Sequence, residues 1–109
     1  PIKLVWGTVF NLLGSWCEKR LDGRGFTQPQ KVYGLLQTGD MNEQYLLALL
    51  ARMDAAGAEI YAHPLALDAD EAAKRQNPGG GRELQAMLSG RVRQAIEAAG
   101  FRLATYETL

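Results

Sequence analysis

The chain has 109 residues, 12 basic against 12 acidic side chains, and an apolar share of 47%. That length suits one domain with one core, and zero net charge leaves no basic stripe to draw nucleic acid or an anionic membrane surface, so neither is expected as a partner. Cys17 is the one cysteine; an internal disulfide is excluded, nothing signals an oxidising compartment, and the cytoplasm is the expected location.

No run approaches the ~18 consecutive apolar residues that would suggest a membrane-spanning helix. Pro1 to Leu13 is apolar with a single lysine. It lacks a small-residue cleavage pattern and runs on into a polar helical stretch, so a signal peptide is not expected. The opening proline fits either a removed initiator methionine or a piece of a longer chain.

The spacing predicts a helix over 2–21. Ile2, Val5, Val9, Leu12, Leu13 and Trp16 recur at three- and four-residue intervals, and Trp6, Phe10, Cys17 and Leu21 widen the stripe. Gly23 and Gly25 are expected to end it in left-handed conformations. Gln30 to Leu36 reads as a strand. Asp40 is the expected cap of a second helix, with Glu43 as capping-box partner, and Leu46, Leu49, Leu50 and Met53 form its apolar stripe. Gly57 is the expected left-handed residue at its end.

Ala58 to His63 reads as a strand with unlike faces. Ala58, Ile60 and Ala62 suit a face covered by helices, while Glu59, Tyr61 and His63 face solvent or the interior of a closed barrel. Pro64 lacks an N–H and should stop the strand. Residues 64–82 are expected to be a long connection, with Asp68 and Glu71 capping a short turn through Ala73 and Asn77 to Gly81 as a mobile loop. A helix should resume at Arg82 on Leu84, Met87 and Leu88. Ser89 should cap its continuation through Val92, Ile96 and Ala99, and Gly100 should end it. Phe101 to Thr105 reads as a last short strand. Helices alternating with strands predict an α/β fold with parallel pairing. Three strands would leave two open edges, the first sign of a larger sheet.

His63, the chain's single histidine, is the candidate catalytic residue. It falls at the C-terminal end of a presumed parallel strand before a long loop, where α/β folds place their sites. Its imidazole suits proton transfer near neutral pH. The bland alternative is a strand-end histidine that packs or bonds locally. One histidine, a distant cysteine and the carboxylates of Asp68, Asp70 and Glu71 do not make a metal-ligand spacing; those acids read as caps and solvated surface. Asn77 to Gly81 lacks the lysine-serine of a phosphate loop and a dinucleotide fingerprint. Cys17 reads as a buried thiol, and Trp6 and Trp16 as core or interface.

Three segments taken in order, Val32-Tyr33-Gly34-Leu35, Glu59-Ile60-Tyr61-Ala62-His63-Pro64, and Arg82-Glu83-Leu84 with Leu88-Ser89, Val92 and Ala98-Ala99-Gly100-Phe101-Arg102-Leu103, resemble the C-terminal part of the YdjC-like carbohydrate deacetylases. The nearest branch is the one associated with hopanoid biosynthesis (HpnK-like), and the chitooligosaccharide deacetylases are relatives. The resemblance implies a distorted (β/α) barrel that hydrolyses the acetamide of an N-acetylated sugar. It implies a divalent metal held by an aspartate and two histidines, a neighbouring aspartate as base, and a general acid that maps onto His63. The metal motif belongs to the family's N-terminal half, so this chain would hold no metal site or cofactor of its own and would be inactive alone. Leu65 departs from the glycine or alanine often found after the His-Pro pair.

The expectation is therefore a single α/β segment over 1–109, the C-terminal portion of such a barrel. His63 is its proton donor, an N-acetylated sugar or glycolipid head group its substrate, and homo-oligomers form through its exposed apolar faces. Two other readings stay open. One is a stand-alone interaction or oligomerisation domain; the other is a small ligand-binding module that uses the 64–82 loop as a lid.

Overall fold

Residues 1–108 are described by a computed structural model. The chain runs α1 (Ile2–Leu21), β1 (Lys31–Tyr33), α2 (Glu43–Leu50), β2 (Ala58–Ile60), α3 (Glu71–Gln76), α4 (Gly80–Leu88) and α5 (Gly90–Ala98). The α/β class is as expected. β1 and β2 pair in parallel, with Lys31 opposite Ala58, Val32 opposite Glu59 and Tyr33 opposite Ile60. One further bond, Tyr61 N–H to Tyr33 O at 2.7 Å, carries the pairing one residue on.

Both strands are shorter than their apolar patterns predict. β1 stops because Gly34 takes φ +96°, and the backbone carbonyl of Tyr61 occupies the space a Cβ at Gly34 would need. Two successive turns, Gln37 N–H to Gly34 O and Asp40 N–H to Gln37 O, both 2.9 Å, then lead toward α2. Asn42, rather than Asp40, caps that helix: its side chain accepts from the Tyr45 N–H. Glu43 instead accepts a 2.5 Å hydrogen bond from the Ser89 hydroxyl. Helix α2 ends at Leu50 on a right-handed cap, so Gly57 lies well past it and is not left-handed.

Five residues form the buried cluster: Met41, Leu46, Leu50, Ala86 and Val92. Ile60 and Ala62 pack against it from the sheet, which is the helix-covered face that the alternation predicted. The core is thus built by α2, α4 and α5 over one face of β2. Helix α5 behaves as expected, with Val92 buried, Ser89 as its cap and Gly100 at φ +79°. Phe101 N–H reaches Ile96 O and Gly100 N–H reaches Glu97 O, both at 3.0 Å, the paired bonds of a Schellman ending.

Several further expectations are corrected. Phe101 to Thr105 forms no strand, and the sheet of the described residues has two strands. Asn77 to Gly81 is not a loop along its whole length: Gly80 and Gly81 lie in α4, and Asp70 caps the preceding α3. The buried face of α4 is Gly80, Glu83 and Ala86, whereas Met87 and Leu88 are 58% and 75% exposed. Helix α1 matches its predicted bounds but buries none of its residues. Cys17 is exposed rather than buried.

Candidate functional site

His63 stands three residues past the end of β2. Its main chain is held from both sides. The N–H donates to Glu83 Oε2 at 2.5 Å, and the C=O accepts from Asn77 Nδ2 at 2.8 Å. Pro64, lacking an N–H, then removes the chance of further pairing. The imidazole is exposed and meets the Tyr61 ring edge-on, with centroids 5.2 Å apart and planes at 72°. This contact fits two residues apart on one strand face. The ring is therefore placed by its backbone and by one aromatic neighbour, and stays open to a ligand.

Glu83 is the residue that the sequence pattern did not single out. It has no exposed surface. Its Oε1 accepts from the Gly39 N–H at 2.6 Å and the Met41 N–H at 3.3 Å, while Oε2 takes His63. A carboxylate offers acceptors only, which suits three converging donors, and charge-assisted bonds of this type are the stronger ones. Glu83 also lies in the first turn of α4, where the helix dipole favours negative charge. A readable signal existed: Gly80, Glu83 and Ala86 follow the three-residue spacing of a buried stripe. The apolar Leu84, Met87 and Leu88 drew the stripe elsewhere.

Glycines let these parts close up. The backbone of Gly39 fills the space that a Cβ at Gly79 would need, and a Cβ at Gly80 would lie 2.5 Å from Leu65 Cβ. Leu65 N–H donates to Gly80 O at 2.9 Å, tying the segment after His63 to the start of α4. The glycine-rich run is a packing seam against the strand ends. Leu65 is one wall of it.

The other residues weighed in the sequence lie elsewhere. Asp70 caps α3 and Glu71 pairs with Lys74 at 3.3 Å. Among the described residues no three His, Cys, Asp or Glu side chains stand close enough to hold a metal ion. A cleft of about 510 Å³ opens beside Gly57, Glu59, Phe101 and Tyr106; His63 does not line it. There the Tyr106 hydroxyl donates to Glu59, which holds the phenol above its ordinary 10.0 by favouring the protonated form.

A histidine held through its main chain just past a parallel strand, over a helical layer, is the candidate site of an α/β fold. Residues 4–98 match the YdjC-like protein family, and the chain belongs to that family, among the carbohydrate deacetylase-like proteins. No curated protein and no solved structure is significantly similar to it.

Proposed function

We propose that this chain is the C-terminal portion of a metal-dependent carbohydrate deacetylase. In this reading His63 protonates the leaving amine as the acetamide C–N bond breaks. The observation that carries the reading is the pairing of an exposed imidazole with a main chain fixed at both its N–H and its C=O. A group held in this way can meet a substrate nitrogen with little loss of orientation, and positioned proton transfer contributes about 10²–10⁴-fold to a rate. The family match supports the substrate class. An N-acetylated sugar or glycolipid head group in the hopanoid-associated branch, acting in the cytoplasm, is the finer form of the proposal.

The residues described here do not fit a metal, so the divalent ion of such an enzyme would be held by residues outside this chain. What the chain supplies is the acid. A full-length protein carrying His63→Ala should lose turnover by about 10²–10⁴-fold while retaining its metal. Unchanged turnover would leave His63 a structural residue. Turnover of an N-acetylglucosamine oligomer by the isolated 109 residues would overturn the assignment of the metal and base to another segment.

The exposed apolar surface of α1 favours a second reading, an association domain. Leu4, Trp6, Leu12 and Trp16 are all at least half exposed, and faces of this kind mark contact surfaces. A homo-oligomer is the form this reading predicts.

A further inference from the structure

We infer that Glu83 and Asn77 are positioning residues for His63, and that Glu83 also ties the His63 main chain to the loop between β1 and α2. The inference rests on the deacetylase reading for its catalytic consequence, although its geometry stands without it. Both side chains act on the peptide groups that flank the imidazole rather than on the ring. Glu83 is fully buried, and its two oxygens divide between two segments: Oε1 serves Gly39 and Met41, Oε2 serves His63. Asn77 completes the hold at the His63 carbonyl.

The arrangement is specific in a way that core packing is not. A buried acid is costly to keep unless its oxygens are filled, and here three backbone amides fill them. The three amides it serves end the two parallel strands' exits, not a regular element. Gly39 at φ +85° aims its N–H inward from a turn, and the Gly79 backbone presses on it from α4. One carboxylate therefore sets the spacing between the turn after β1 and the end of β2. In a strand-end site those are neighbouring walls, so a shift of the turn would be passed to His63 through Glu83.

The test uses the full-length protein with Glu83→Gln and Asn77→Ala, read by amide NMR and by acetamide hydrolysis of an N-acetylglucosamine oligomer. Glutamine presents an NH2 group to one of the donors, so the His63 amide proton should move to higher field and exchange faster. Turnover should fall about 10²-fold with KM changed by less than about twofold, since misplacement of a reacting group of the order of 1 Å carries that penalty. The alkaline limb of the pH–rate profile, which reports the acid, should shift. Asn77→Ala should show the same pattern at about a tenfold loss, from the same misplacement. Because Asn77 is only partly buried, that variant decides the matter if Glu83→Gln does not fold. Folded variants with wild-type turnover and pH profile would overturn the inference. If the wild-type protein hydrolyses no acetamide, the deacetylase reading fails; an unmoved His63 amide in Glu83→Gln would then overturn the positioning as well, and a shifted one would sustain it.

Discussion

Glu83 carries a carboxylate into a fully buried place and finds three amide hydrogens there. Glu83→Ala should lower the unfolding free energy by about 1–3 kcal/mol, the cost of stranding the buried Met41 amide, with the part-buried Gly39 and His63 amides adding less; a urea titration reads it. A change below that scale would mean that the amides find other partners. Legibility at this scale depended on context. The tripeptide Ala-Ala-Gly occurs at 55–57 and again at 98–100. Gly100 is left-handed and closes α5, whereas Gly57 is not, because α2 has already ended at Leu50. The place of His63 just past β2 was legible from its strand and its proline. The burial of Glu83 was readable from its spacing with Gly80 and Ala86, but its role was not, since its partners are backbone amides, which have no sequence letter.

Among the elements, the helices were the most legible and the strands the least. Helix α1 has its predicted bounds because caps and periodicity are local. The strand runs were cut short by Gly34 and by a tertiary contact with Tyr61 that no local pattern shows. The third predicted strand failed because Phe101 is committed to the Schellman ending of α5. The parallel pair has one ionic tie, Lys31 Nζ to Asp54 Oδ1 at 2.5 Å, between β1 and the segment before β2. Hydrogen bonding to Lys31 holds the Asp54 carboxyl below its ordinary 3.8, and the same bond raises the Lys31 ammonium above 10.5. The depressed acid contributes stability that is full above 3.8 and lost as pH falls through the folded value. The raised base contributes stability that is full below 10.5 and lost as pH rises through its folded value. Asp54→Asn should therefore be less stable than wild type by a constant amount between those limits, and the difference should close beyond either end. Thermal melts across pH measure it, and both side chains being exposed, added salt should shrink it.

At the scale of the molecule, the core lies at one side and α1 contributes nothing to it. Val32 and Tyr61 are also exposed, so the sheet face opposite the helices lacks cover among the described residues. Among the described residues no helix is long and apolar enough to cross a membrane. The isolated chain should self-associate in sedimentation velocity, and Leu4→Gln, Leu12→Gln and Trp16→Gln together should return it to a monomer. A monomeric wild-type chain would remove the association reading. The α/β class was legible from the order of elements; which faces stay bare was not, because periodicity reports that a stripe exists and not what meets it. The composition of the core has one more consequence. Leu46 and Leu50 of α2 are covered by Ala86 and Val92, and the Glu43 carboxylate waits for the Ser89 hydroxyl. A ribosome delivers the first set well before the second. During synthesis, then, the nascent β1–α2–β2 stretch leaves the exit tunnel with its leucines uncovered, and their burial waits for α4 and α5 to follow.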